Sequence, residues 1–210
     1  MSGVPLWLVL LAGAYLVGSI PFSWVVVRLK TGKDVRQVGS GNVGATNAMR
    51  AAGRGAGLAA LLLDVAKGVV PVLVARSLGA PPLVESCVAT LAVIGHMYPV
   101  WLRLRGGKGV ATAAGALGAL APIPAALAVV AFVAVVAATR FVSLGSVVAL
   151  VVFPLLVLVF AAFGDSPRDV PFLVSSALVP ALSVWKHRGN IRRLLAGTER
   201  RLGRSLGQRA

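Results

Sequence analysis

The stretch VPLWLVLLAGAYLVGSIPFSWVVV, residues 4–27, decides how the chain is read. It carries no charge over more than the ~20 residues a helix needs to cross a bilayer core of roughly 30 Å. No basic segment precedes it, and it is about twice as long as the apolar part of a secretory signal. It therefore reads as a retained membrane helix. Six further apolar runs follow, at 58–78, 83–102, 109–121, 123–139, 143–163 and 170–185. Only 13% of the 210 residues are charged and 58% are hydrophobic, where a soluble domain has about 25% charged residues. Mean hydropathy is +0.88. The expected fold is an all-α, polytopic membrane helix bundle of seven transmembrane helices, with residues 1–210 as one domain.

Turn signals separate the runs. LGAPP (78–82), APIP (121–124) and FGDSPRDVP (163–171) cannot continue a helix. The run at 109–121 is short, about 20 Å of helix, which suits a start inside a protein-lined vestibule. Merging it with the next run gives a rival count of five or six spans. The cations decide for seven. All of the 21 lysines and arginines except Lys67, Arg76 and Arg168 then fall on one face, which the positive-inside bias makes cytoplasmic. The N-terminus lies outside, and loops 28–57 and 103–109 and the tail 186–210 lie inside. That bias also accounts for the net charge of +15 without a nucleic-acid partner.

The polar segments gather on that same face. GSGNVGATNAMR (39–50) continues as AGRGAG (52–57) in one glycine-rich loop. Glycines let successive N–H groups converge on an anion. Ser40, Asn42, Thr46 and Asn47 add donors, and Arg50 and Arg54 add charge. In RLRGGKGVAT (103–112), Gly106, Gly107 and Lys108 precede an apolar helix, whose start favours anions. The spacing is not that of a nucleotide P-loop. Two anion-holding devices on one face suit two phosphate groups held side by side. Asp64 and Lys67 lie on one face of the second span, where charge is costly; Asp64 reads as the structural partner and Lys67 as a source of positive potential. His96 sits in GHMYP (95–99). His187 and Asn190 share a helix face in KHRGN (186–190).

Absences narrow the chemistry. No HxxxxD pair, no GxSxG elbow and no clear carboxylate–histidine dyad is visible. Glu85, Asp165 and Asp169, half of the six acids, fall near the outer face, so a two-metal carboxylate site is not expected. Cys87 stands alone and reads as a small buried residue. A site of this kind works by positioning and positive potential. A transporter would ask for internal symmetry and broken helices at midplane, and no repeat is evident.

GSGNVGATNAMR, DVAKG (64–68), GHMYPVWLRLRGGKGVAT (95–112) and HRGNIRRLLAGTE (187–199), in that order between apolar spans, closely resemble the bacterial membrane acyl-phosphate:glycerol-3-phosphate acyltransferases, over residues 15 to 203. Val43, Leu104 and Arg105 depart from the family pattern without removing a donor. The resemblance implies seven helices and transfer of a fatty acyl group from acyl phosphate to the 1-position of glycerol 3-phosphate. The products are lysophosphatidic acid and phosphate. It implies no use of acyl-CoA; no cofactor and no metal are expected. By position it places glycerol-phosphate contacts on Ser40, Arg50, Lys108, His187 and Asn190. Gly41, Asn42 and Gly44 would cradle the donor phosphate, with Thr46 and Asn47 in support. Lys67, His96, Gly106 and Gly107 complete the expected substrate-binding set. The expected setting is the bacterial inner membrane, with the site on the cytoplasmic side and membrane lipids around it; the sequence leaves the oligomeric state open, and a monomer is compatible with it.

Overall fold

The computed structural model describes residues 3–164 and 169–203. Asp165, Arg168, Arg204 and Arg209, placed above by charge and turn signals, lie outside them. Ten α-helices occur among the described residues: α1 (Val4–Ser19), α2 (Phe22–Thr31), α3 (Ala45–Ala52), α4 (Arg54–Ser77), α5 (Pro82–Met97), α6 (Val110–Leu120), α7 (Pro122–Thr139), α8 (Val142–Phe163), α9 (Val170–Lys186) and α10 (Arg188–Leu195). Five segments are long and apolar enough to cross a membrane: Val4–Thr31, Arg54–Ser77, Pro82–Leu102, Pro122–Thr139 and Val142–Phe163. The other two expected spans, Val110–Leu120 and Val170–Lys186, are shorter apolar helices. Large aliphatic side chains such as Leu8, Leu62, Val130 and Leu155 are exposed on the outside, an arrangement that suits lipid and not water.

The first apolar run is not one helix. Pro21 has no N–H and holds Ile20 extended (φ −61°, ψ 117°), which breaks the run into α1 and α2. The Ile20 carbonyl at the break accepts a hydrogen bond from Lys67 Nζ at 2.7 Å, and the same ammonium lies 5.6 Å from the Phe22 ring centroid. Two more boundaries differ from expectation. AGRGAG is not loop: after Gly53 (φ 88°) the chain enters α4 at Arg54, and Gly57 lets α3 pack against it, since a Cβ there would meet Met49. The run 83–102 leaves the helix at Met97 because Pro99 cannot continue it; a 3-10 turn, Val100–Leu102, follows.

Small residues set the close helix contacts, as lipid-embedded interfaces favour. Gly18 faces the Ala92 backbone and Gly95 the Tyr15 carbonyl, joining α1 to α5. Gly68 faces the Thr112 carbonyl and Gly115 that of Val65, joining α4 to α6. The main core lies among α1 and α4 to α9, with Val88, Met97, Val157 and Phe172 among its fully buried members. A second cluster, Val27, Val35, Val43, Ala48, Ala60 and Leu102, supports the glycine-rich loop from beneath.

Candidate active site

The first loop is knotted by one amide. Asn47, buried on α3, donates through Nδ2 to the carbonyls of Val35 (2.8 Å), Val38 (2.9 Å) and Asn42 (3.0 Å). Its Oδ1 accepts from the Ser40 N–H at 2.9 Å. These bonds fix its orientation. Its donors are occupied, so Asn47 builds the loop that Ser40, Gly41 and Asn42 present. The first N–H groups of α3, from Ala45 and Thr46, have no intrahelical acceptor, and Gly44, Ala45 and Thr46 line the cavity described below.

The second loop is clamped to the end of α5. Gly106 N–H donates to the Met97 carbonyl (3.2 Å) and Gly107 N–H to that of His96 (3.1 Å). A Cβ on Gly106 would overlap the His96 carbonyl and Pro99; one on Gly107 would overlap His96 Nε2 and the Val43 carbonyl. The paired glycines thus let this loop lie against the first one, with the His96 ring where the two meet. Behind that ring, His96 Nδ1 lies 3.6 Å from Asp64 Oδ1. The fold therefore brings a carboxylate and a histidine near each other, at a separation longer than a hydrogen bond, which spacing along the chain did not reveal. Asp64 also pairs with Lys67 at 2.8 Å.

The tail completes the site. Leu202 N–H donates to the Arg140 carbonyl (2.7 Å), which folds residues 198–203 back onto the α7–α8 turn. Glu199 then receives Ser143 Oγ (2.8 Å) and Asn190 Nδ2 (2.7 Å) on one oxygen and Arg193 Nε (2.7 Å) on the other. Asn190 turns its Oδ1 to the Lys108 ammonium. A relay of hydrogen bonds therefore runs from Lys108 through Asn190 to Glu199. Burial opposes the Glu199 charge, but the bonds from Asn190, Ser143 and Arg193 outweigh it and hold the carboxyl below its ordinary range. Glu199, Ser143 and Arg193 were absent from the predicted set. The available signal for Glu199 was that it is an acid in an otherwise basic tail.

Burial, with repulsion from Arg193 and Arg50 against attraction from Glu199, brings the Lys108 ammonium down to about 8. His187 is pushed down to about 4 by burial and by the Lys108 charge. Its Nδ1 lies 2.7 Å from the Ser183 carbonyl, which can only accept. The proton therefore sits on Nδ1, and Nε2 of the neutral ring is an acceptor. Arg50 is lowered by burial and by Arg200, against Glu199; guanidinium stays charged at neutral pH.

These groups share one cavity of about 1350 Å³, larger than the roughly 300–1,000 Å³ of ordinary ligand pockets. Every predicted site residue lines it except Lys67 and Gly107. Lys67 is committed to Asp64 and the Ile20 carbonyl, and Gly107 is a spacer against His96. Away from the polar cluster the walls become apolar, with Leu117, Phe132, Leu150 and Phe153 among them. An anionic head with a hydrocarbon tail suits such a space. Replacing Glu199 with Gln is expected to lower kcat/KM for the anionic substrate about tenfold or more, the scale of a lost hydrogen bond to a charged group. The loss should appear mainly as a raised KM, as Asn190 and Arg193 lose their anchor, and steady-state kinetics with that substrate varied would check it.

Comparison with known proteins bears on the same features. The family model for glycerol-3-phosphate acyltransferase matches residues 8–197. The glycerol-3-phosphate acyltransferases of Rubrobacter xylanophilus and Myxococcus xanthus are 48% and 50% identical to this chain over 189 and 191 residues. These alignments cover 90% and 89% of this chain and 92% and 95% of the relatives. Two crystal structures of PlsY (YgiH), described as an integral membrane glycerol 3-phosphate acyltransferase, have the same fold. The glycerol 3-phosphate form has TM-score 0.85 at 41% identity, and the lysophosphatidic acid form 0.82 at 38%. Each covers 94% of this chain, and 96% and 95% of the solved chains respectively. The chain belongs to the glycerol-3-phosphate acyltransferase family.

Proposed function

We propose that this chain transfers a fatty acyl group from acyl phosphate to the sn-1 hydroxyl of glycerol 3-phosphate, giving lysophosphatidic acid and phosphate. The carrying observation is that two anion-holding loops, Lys108 and Arg50 stand at the head of a cavity whose far part is apolar. The named glycerol 3-phosphate and lysophosphatidic acid forms of PlsY support the acceptor and the product class. Purified protein given acyl phosphate and glycerol 3-phosphate should release phosphate and form lysophosphatidic acid. Acyl-CoA in place of acyl phosphate should give none; turnover with acyl-CoA alone would defeat the donor assignment.

Acyl phosphate is a mixed anhydride, so its carbonyl is already activated. The glycerol hydroxyl attacks the carbonyl carbon directly. The new C–O bond forms, the C–O bond to phosphate breaks, and phosphate leaves with the electron pair. Lys108, Arg50 and the loop N–H groups hold the developing oxyanion and the departing phosphate. Ser40, Asn190 and His187 Nε2 orient glycerol 3-phosphate. The hydroxyl proton goes to a substrate phosphate oxygen. A phosphate monoester has a second pKa near 6, whereas His187 sits at about 4, so phosphate is the stronger base at neutral pH. His96 and Asp64 hold the two loops in register, and Lys67 supports them through the α1–α2 break.

This mechanism sets the sign of the pH dependence. Lys108 is charged below about 8 and loses its proton above it, so kcat/KM for glycerol 3-phosphate should fall as pH rises through that value. This quantity reports the free enzyme. The acid limb should follow the substrate phosphate near 6, with none from His187 above about 5. Lys108→Arg keeps its charge and should move the alkaline limb upward whatever its rate. A limb that stays near 8 in that variant would assign it to another group.

The site belongs on the cytoplasmic side of a bacterial inner membrane, with seven helices crossing, the N-terminus outside and the tail inside. The cationic loops support this orientation. Impermeant thiol labelling of cysteines introduced into KHRGN and RGGKG of intact cells should be blocked, and labelling from outside would reverse the topology.

A further inference from the structure

Beyond the polar cluster the cavity runs down α6, α7 and α8 and then stops. On α8 it is lined by Ser143, Ser146, Ala149, Leu150 and Phe153, and by nothing past Phe153. Val157, one turn further on the same face, is fully buried and outside the lining. Leu117 is the last lining residue on α6 in this direction and Ala125 the last on α7. Leu117, Ala121, Ala125, Phe153 and Val157 are all buried in the same packed core. The floor has a cause in the chain. α6 has only 11 residues, so its turn into α7 at Ala121 sits part-way through the bundle and closes the space against Phe153.

From Ser143 to Phe153 is about 15 Å of helix. That is half of a hydrocarbon core of roughly 30 Å, or one leaflet. The side of the cavity is different from its floor. Leu61 and Leu62 on α4 and Val129 and Val133 on α7 line it and are exposed, so a lipid-borne chain has a lateral way in. The cavity is thus open at the side and blind at the end.

We propose that Phe153, seated against the α6–α7 turn, is the chain-length stop of the acyl groove. It sets the longest fatty chain that fits with its carbonyl at Lys108. This rests on the acyl-transfer reading above. A chain that overruns the floor either draws its carbonyl back from Lys108 or bends out through the side. A displacement of about 1 Å at the reacting atoms costs roughly a hundredfold in rate, so overrun is penalised in turnover. A chain that falls short leaves apolar wall unfilled and forgoes about fourfold in binding per methylene. The two penalties give a preference centred on chains of leaflet depth, and Phe153 fixes its upper edge.

The test is internal competition. Dodecanoyl, hexadecanoyl and eicosanoyl phosphate are mixed with glycerol 3-phosphate, and the lysophosphatidic acids are counted by mass spectrometry. Product ratios do not depend on how much of a variant is folded. Wild type should disfavour the eicosanoyl product, whose chain overruns a groove of one-leaflet depth. Phe153→Ala deepens the groove and should raise the eicosanoyl-to-hexadecanoyl ratio about tenfold, the usual scale for pocket-size discrimination. Ala125→Leu raises the floor and should move the dodecanoyl-to-hexadecanoyl ratio up by a similar factor. Phe153→Leu serves if the alanine variant does not accumulate, with a smaller shift in the same direction. Unchanged ratios in both the Phe153 and the Ala125 variants, with wild type active on acyl phosphates, overturn the chain-length stop and leave acyl transfer standing. No product from wild type with any donor removes acyl transfer, and the stop falls with it.

Discussion

Lys108→Ala is expected to lower kcat by about a hundredfold to a thousandfold, the loss of roughly 2.7–4 kcal/mol seen when one donor to a developing oxyanion is removed. The ammonium is held by Asn190 Oδ1, which Glu199 orients in turn, so it is in place before substrate arrives. Burial lowers its pKa to about 8, which keeps most of its charge at neutral pH and removes much of the water that would screen it. Both features increase what the charge contributes in the transition state relative to the ground state. The loss should therefore appear in kcat and not in KM alone. Lys108→Arg restores charge but offers a planar fork where a point charge fits, so it should recover only part of the rate. Initial rates of phosphate release, with thermal stability measured alongside, would separate this from unfolding. Turnover of Lys108→Ala within a few-fold of wild type would remove the clamp from the mechanism.

The parts legible in the chain are those that lipid enforces locally. A bilayer demands that each crossing segment satisfy its own backbone, so apolar runs declare themselves. Charge bias then orders the loops. The two glycine segments were readable because glycine next to cationic residues has few structural uses. What escaped depends on packing between distant segments. Pro21 was visible, but the apolar run continues past it, and only the Lys67 bond to the Ile20 carbonyl shows how a break there is satisfied. Asp64 and His96 stand on different helices, and no spacing rule joins them. Asn47 looked like a ligand donor because an amide in a polar loop can donate outward, yet its donors turn inward. Glu199 was hidden because it reaches Asn190 and Ser143 only after the tail doubles back onto the α7–α8 turn. Pairwise contacts of this kind are made by topology, which composition and periodicity do not encode.

Gly107→Ala should cost about a hundredfold in kcat/KM in a protein that remains folded. Gly107 does not adopt a positive φ, so the difficulty is space and not backbone conformation. An added Cβ would overlap His96 Nε2 and the Val43 carbonyl at the same time. The ring has little freedom to retreat, because Asp64 lies 3.6 Å behind its Nδ1. The Val43 carbonyl belongs to the loop that carries Ser40 and Asn42. The methyl therefore drives the two anion-holding loops apart and moves Lys108, the next residue, with its own loop. A shift near 1 Å between groups that must meet one carbonyl is enough for the expected loss. Because the loop is clamped to the His96 and Met97 carbonyls, thermal unfolding measured alongside would separate lost activity from lost fold. Gly55→Ala, where nothing lies within 4 Å of the new atom, is the matched control and should be silent. His96→Ala opens room for the methyl, so Gly107→Ala combined with His96→Ala should be more active than the two single losses multiplied together. That positive coupling is the signature of residues in direct contact. Multiplicative losses would mean that the His96 ring is not what Gly107 makes room for, and the contact between the two loops would have to be sought elsewhere.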